Sequence, residues 1–566
     1  MSRGCSTLAV LLGGMLWLGL AGQSGLAQSS APALRLVSSN QTERVFWPTS
    51  AYYYLLQSTT NLANNNSWVN EVSASLMVSW FSSENSGGSA GLATDTSSNQ
   101  FFFAQTKLPV NKFYRLKTPD YFPLCSFAVF YDGLLEFSQC PTMLMNGAVH
   151  ANGSINLGTS ASLTFNYPVS CTGQLAAPFV EGFSLNWVPT NPATWNVTYN
   201  GNPTVITNML RIPLWPTTNS FHFVIDVPPA GEDPSTFPGA ARLFNQAQMI
   251  LLVTNVVSGA GNPTVQLTLQ ASVNGNVPGS DPAKVVYIYT NQSPSALSTN
   301  FPFLSLTNLT YDQREYKTNL ITQIDIGKFA GWIQTNVAVQ GKLPALGGIF
   351  PTILFVADQR NHSATQLPSV RLVNGAQLPA NNNFGFTVDT PNPLYVLGNY
   401  NVQTASSAAN ASAATVNTAY TVPAALFCDA LTVLSPHWTD AESFNTFDFN
   451  NPTMDAADET INAAIITGTM PTTANTPTGF SGGVHNLPRL LEDWVGVNLW
   501  LNTSLIRLWN SQMATNQFRI PPSSSPPSVN PYYRGPTRHF NFDQNFLNPA
   551  KIPPGIPLLT FSTNSP

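Results

Sequence analysis

Between residues 127 and 158 short apolar runs alternate with polar residues, and Asn-Gly pairs punctuate them. Asn146-Gly147 and Asn152-Gly153 lie six residues apart. Asn-Gly favours positive φ, so each pair predicts a corner. The four residues between the pairs are few for a hairpin strand. Two corners this close predict a chain that winds, laying one short strand on the next. A similar rhythm returns after residue 386. Segments 394–401 (LYVLGNYN), 424–435 (AALFCDALTVLS), 461–469 (INAAIITGT) and 504–509 (SLIRLW) each read as short apolar runs bounded by Asn, Gly, Asp or Ser. Near-continuous apolar runs suit parallel rungs buried on both faces. Their intervals are irregular, so no strict repeat is expected. A β-sandwich built from the same runs is the alternative.

Residues from about 172 to 386 break the pattern and predict an inserted α/β segment. There, 265–273 alternates as a strand, 221–227 is a second strand candidate, and 240–248 suits a short helix. Residues 323–332 read as a strand followed by an amphipathic helix, and 353–358 as a buried strand. Upstream, 33–118 predicts a small β-sandwich. Its strands lie near 44–47, 52–58, 67–69 and 112–117, with a polar loop at 82–100. In the tail, 521–566, the Pro-Pro runs exclude regular helix and central strand. Phe540, Phe542 and Phe546 are expected to pin that tail to the body. The expected fold class is mainly β. An N-terminal β-sandwich precedes a large β-rich domain at 119–566, solenoid-like in the manner of a parallel β-helix.

Composition supports this reading. Charged residues are only 9%, against roughly 25% in ordinary soluble domains. With 37 Gly and 45 Pro, the chain is poor material for long helices. A hydrophobic fraction of 43% argues against disorder over most of the length. Net charge is 22 − 27 = −5 with scattered basic residues, which excludes a nucleic-acid stripe or a polybasic membrane patch. Residues 1–27 read as a secretory signal: Arg3, an apolar run at 8–20, then Gly25-Leu26-Ala27 before Gln28. That run is short of the roughly 20 residues that span a bilayer. The expected location is therefore periplasm, cell surface or outside, with no transmembrane anchor in the mature chain. Export permits disulfides among Cys125, Cys140, Cys171 and Cys428. Cys125 with Cys140 is the first candidate pair, and small buried thiols are the alternative.

Two resemblances add to this. Trp47-Pro48, LQSTTNL at 56–62 with Trp68, and FYRLK at 113–117 resemble a fibronectin- or immunoglobulin-like module of secreted proteins from Verrucomicrobia-like bacteria. That resemblance implies a spacer or adhesive role without catalytic residues. A second set comprises FYDGLLE (130–136), NGAVHANG (146–153), DQRE (312–315), NPLYVLGNYN (392–401) and GGVHNLPRLLEDW (482–494). It resembles an uncharacterised exported bacterial surface-protein family, some members type IV pilus-associated and PilX-like. The family carries no established chemistry. This chain lacks a pilin-like N-terminal transmembrane helix.

Candidate chemistry centres on Glu492-Asp493, beside Arg489 and Trp494, with His485 as a further binding candidate. Glycan cleavage needs two carboxylates roughly 5–10 Å apart, often with an aromatic platform. Asp448, Asp455, Asp458 or Glu459 would be the partner. The competing and favoured reading is a short helix whose Arg489 pairs with a carboxylate while Leu490, Leu491 and Trp494 pack. Asp312, Arg314 and Glu315 likewise read as a structural ion-pair network before an acid–base set. The six histidines lack zinc-ligand spacing. No nucleophile elbow or phosphate loop occurs. No cofactor is expected; a structural Ca²⁺ in the Asp-rich loop at 448–458 is the alternative. The expected function is an exported, non-enzymatic structural or adhesive surface protein that binds glycan or envelope-protein partners. The alternative is a secreted glycan-active enzyme on a β-helix scaffold.

Overall fold

The computed structural model describes residues 34–38, 42–48, 55–62, 68–70, 91–95, 100–106 and 112–117, and then most of 122–561. The described parts of the latter are 122–138, 140–159, 161–178, 194–206, 209–211, 220–234, 236–255, 263–270, 285–289, 293–346, 348–379, 384–404, 408–409, 417–472, 481–518 and 532–561. The expected signal at 1–27, the aromatic run at 52–54 and the Pro-Pro run at 521–527 lie outside them. The protein is mainly β and separates into two compact units, Met1–Pro119 and Asp120–Pro566.

In the first unit, Arg35–Ser38, Thr42–Pro48, Gln100–Thr106 and Gly91–Asp95 form one antiparallel sheet. Val69–Asn70, Leu55–Thr59 and Phe113–Lys117 form another. The expected polar loop at 82–100 is corrected in part, because Gly91–Asp95 is a strand inside it.

A 20-residue step organises the start of the second unit. Val129, Val149 and Val169 align in one parallel ladder, and Leu135, Ile155 and Leu175 in a second. Met143, Leu163 and Val197 make a third. Each turn of chain thus contributes one short strand to three ladders. Alternate side chains such as Val149, Ile155, Leu157, Leu163 and Phe165 point into one buried core. At one corner Asn166 donates to Asn146 at 2.8 Å, and Asn200 donates to Asn166 at 2.7 Å. Stacked amides satisfy the polar groups that a repeated corner would otherwise strand.

The Asn-Gly pairs do mark bends, but neither pair adopts positive φ. Their glycines answer a different need. A Cβ on Gly153 would sit 2.7 Å from the Gly133 carbonyl carbon, and one on Gly147 would sit 2.7 Å from the Phe542 ring. Close stacking of turns, not backbone handedness, requires glycine there.

The winding does not stop near 172. Leu175–Pro178, Val197–Tyr199 and Pro203–Val205 continue it. The return turns begin before 386, with Ile353–Gln359 and Gln366–Val373. These corrections shrink the insertion. Inside it, the expected strand at 221–227 is instead a 3-10 turn, Phe221–Val224, capped by the Ser220 hydroxyl. The expected helix after residue 325 forms as Ile326–Thr335, with Asp325 accepting from the Lys328 amide.

The return strands complete a 13-stranded sheet. Its parallel run passes through Met249–Thr254, Ile353–Gln359, Phe386–Asp389, Ala424–Cys428, Glu459–Thr469 and Asn498–Asn510. Asn498–Asn510 then pairs with Val129–Tyr131, where the winding began. The first turn therefore lies inside the stack, and the last turn closes onto it. A six-stranded sheet accompanies this run, holding Lys317–Asp325, Gln366–Val373, Leu394–Leu397, Leu431–Leu434 and Arg489–Leu490. The segment 424–435 thus forms two strands, one per sheet. A second amide ladder joins Asn401, Asn462, Asn502 and Asn541 across the return turns.

The tail contributes Thr537–Asn541, parallel to Asn498–Asn510, while Phe542 and Phe546 are buried. All four described cysteines are free and buried, which corrects the Cys125–Cys140 candidate. Their thiols serve as small core side chains.

Candidate functional site

Arg489–Leu490 is the last strand of the six-stranded sheet, paired with Leu431–Leu434. The chain then bends through 491–497 without forming the expected helix, because backbone bridges hold it extended: Asp493 pairs with both Asp455 and Arg534. This bend sends neighbouring side chains in different directions.

Arg489 is buried and donates to Glu315 Oε1 at 2.5 Å and to the Ala514 carbonyl at 2.6 Å. Glu315 sits in the hairpin turn after Leu304–Asp312, with its other oxygen accepting from the Asn516 amide at 3.0 Å. In the same turn, Asp312 Oδ1 accepts from the amides of Arg314 and Glu315, and Oδ2 accepts from the Tyr395 hydroxyl at 2.5 Å. Burial raises the Glu315 carboxyl, and Arg489 opposes that rise. The residues 312–315 therefore form an internal network.

Asp493 is engaged by Arg534, whose Nε lies 2.8 Å from each carboxylate oxygen. The Arg534 guanidinium also covers the Phe449 ring at 4.7 Å. Trp494 is fully buried in the core and offers no platform. His485 is buried beside the Asn486 amide, and burial holds its pKa well below the usual value, so the ring is neutral. None of these four faces an open site.

Glu492 is different. Its two oxygens accept from the Ser435 amide and hydroxyl at 2.6 and 2.7 Å. Burial raises its carboxyl to about 7 although both Ser435 bonds lower it. It forms part of a small cleft, about 20 Å³ and partly open to solvent, that also includes Gln313, Trp438, Glu442, Asn445 and Phe447. Glu442 is the second carboxylate there. Hydrogen bonds from Asn445 and Thr453 hold it below the usual carboxylate range. Two carboxyls in one cleft, shifted in opposite directions, are the arrangement acid–base chemistry uses.

Sequence reasoning missed Glu442 and Trp438. The signal was present as WTDAESF at 438–444, an acidic and aromatic cluster in a charge-poor chain. Of the partners weighed for Glu492, Glu459 is near enough to feel its charge, and the three aspartates make other contacts. Asp448 accepts from the Asn450 amide, Asp455 shares a backbone bridge with Asp493, and Asp458 accepts from the Asn498 amide. Glu459 is buried with neither oxygen hydrogen-bonded; burial, and then Glu492, push its carboxyl well above the usual range. Among the described residues no three His, Cys, Asp or Glu side chains converge as a metal cage. No helix among them is long and apolar enough to cross a membrane.

No family model, curated protein or solved structure matches this chain.

Proposed function

We propose that this is an exported surface protein whose wound β body is a non-enzymatic scaffold, holding a binding cleft for glycan. The leader-like residues 1–27 and the resemblance to exported surface proteins support export. The observation that carries the non-enzymatic part is the fate of the conspicuous acids. Asp493 and Glu315 are neutralised by Arg534 and Arg489, and Trp494 is sealed in the core. Charges so paired serve packing. The remaining opening combines aromatic rings, amides and hydroxyls, the chemistry that stacks on and hydrogen-bonds sugars.

One observation favours the enzymatic alternative: Glu442 and Glu492 share the cleft with opposite shifts. Incubation with a polysaccharide panel separates the two readings. Binding without release of reducing ends is the expected result. Turnover that disappears in Glu492→Gln would replace the scaffold reading with a glycoside hydrolase.

A further inference from the structure

We propose that the edge strand Val285–Tyr289 joins two copies of this chain, each pairing antiparallel with the same strand of the other about Tyr287. This is independent of the glycan-binding reading, because it concerns a sheet edge and no cleft.

Val285–Tyr289, VVYIY, is the last strand at one end of the 13-stranded sheet. On one side it pairs antiparallel with Thr264–Leu269, with Leu267 opposite Tyr287. Among the described residues no strand pairs with its other side. Such an edge presents backbone N–H and C=O groups that a further strand can satisfy. Alternation divides its side chains. Val285, Tyr287 and Tyr289 pack against the core, where the rings of Tyr287 and Tyr289 meet Phe301 edge-on at 6.1 and 5.0 Å. Those contacts hold the strand in place before any partner arrives. Val286 and Ile288 point the other way and are 40% and 62% exposed.

The protein blunts its other long edges. Thr537–Asn541 carries Arg538 and His539. Leu304–Asp312 is bulged between Ser305 and Asn308, and its Tyr311 amide donates to the Ser443 hydroxyl at 2.8 Å. Phe113–Lys117 carries Arg115 and Lys117, and Gly91–Asp95 ends in Asp95. At the opposite end of the 13-stranded sheet, Pro203–Val205 is short and opens on a proline. Charge, proline and bulges all discourage a further strand. Among the described edge strands of five or more residues, Val285–Tyr289 alone has none of these devices.

The strand is complementary to itself. Its alternation of core-facing and exposed residues reads the same from either end. In an antiparallel pair centred on Tyr287, Val285 lies opposite Tyr289 and Val286 opposite Ile288, on both sides of the two-fold axis. Core-facing residues then meet core-facing residues, so both cores stay on one face of the joined sheet. On the other face two exposed aliphatic pairs cover each other, the kind of cross-strand contact that stabilises a sheet. No charge is buried, because the strand has none. Five residues a side fall well short of a standard interface, so the dimer is expected to be reversible and concentration-dependent.

Sedimentation equilibrium of the full chain over a concentration series tests this. A monomer–dimer equilibrium is expected. Ile288→Lys should raise its dissociation constant by about tenfold or more, because a charge enters an apolar pair twice in the symmetric contact. Val286→Lys should do the same. Circular dichroism and the melting temperature check that both variants fold, as substitutions at exposed positions should allow. Register is tested separately. Under copper-catalysed oxidation, an equimolar mixture of Val286→Cys and Ile288→Cys chains should form disulfide-linked dimers faster than either variant alone, because only the mixture sets two thiols directly opposite. A chain that stays monomeric leaves this edge to a strand of another protein and overturns the inference. A dimer unmoved by both lysine variants, or cross-linking no faster in the mixture, overturns it as well.

Discussion

Glu492 ties the cleft to pH. Its carboxyl holds a proton up to about 7 in the fold and to 4.5 in the unfolded chain. The stability linked to that proton is full below pH 4.5 and is lost as pH rises through 7. The loss is at most on the order of 3 kcal/mol. Glu492→Gln should flatten the urea midpoint across this window; an unchanged slope would refute it. His222 titrates higher. Burial alone would lower its pKa, but hydrogen bonds to Asp226 and Asp429 outweigh burial and hold it at about 9. Its contribution is full below pH 6.5 and disappears as pH rises through 9. Melting curves at pH 6 and 9.5 should therefore differ less for His222→Gln than for the natural chain. Burial also pushes the Cys125, Cys140, Cys171 and Cys428 thiols up. Ellman's reagent should reach these four only after unfolding, and a reductant should leave the melting temperature unchanged.

At the scale of elements, the repeated corner is the unit of stability. Asn166→Ala removes the middle rung of the Asn146–Asn166–Asn200 ladder, two hydrogen bonds worth about 1 kcal/mol each. Gly153→Ala puts a methyl group against the Gly133 backbone, which cannot yield as a side chain would. It should cost about 1–3 kcal/mol. Chemical denaturation measures both, and a neutral Gly153→Ala would show that the turns stack less tightly than described. Elements were legible where local pattern and environment agreed. The winding at 127–158 could be read because short apolar runs alternate with corner residues. The segment at 221–227 was misread because its apolar residues follow a strand pattern. The Ser220 cap and the pairing of His222 with Asp429, distant in sequence, fold it into a turn instead. The bend at 491–497 failed for the same reason: Arg534 and Asp455 decide it from afar.

In the second unit, the chain begins its winding within the stack and returns to close it through Leu505 beside Val129. The tail completes this closure. Thr537–Asn541 extends the parallel sheet, and Leu558–Phe561 pairs with both Phe122–Pro123 and Leu210–Arg211. Deleting residues 532–561 should leave unpaired strand edges and an open core, seen as aggregation in size-exclusion chromatography; a monodisperse product would refute it. Local sequence determined the mainly β class, the scarcity of helix and the winding at 127–158, because composition and short-range periodicity act within a few residues. It also contained the acids, without revealing which of them are neutralised. Only the tertiary structure decided that Glu315 and Asp493 are paired, that Trp494 is sealed, and that Glu442 joins Glu492 in one cleft. Those outcomes depend on contacts between residues as far apart as Glu315 and Arg489, and a linear pattern carries no information about which distant charges will meet.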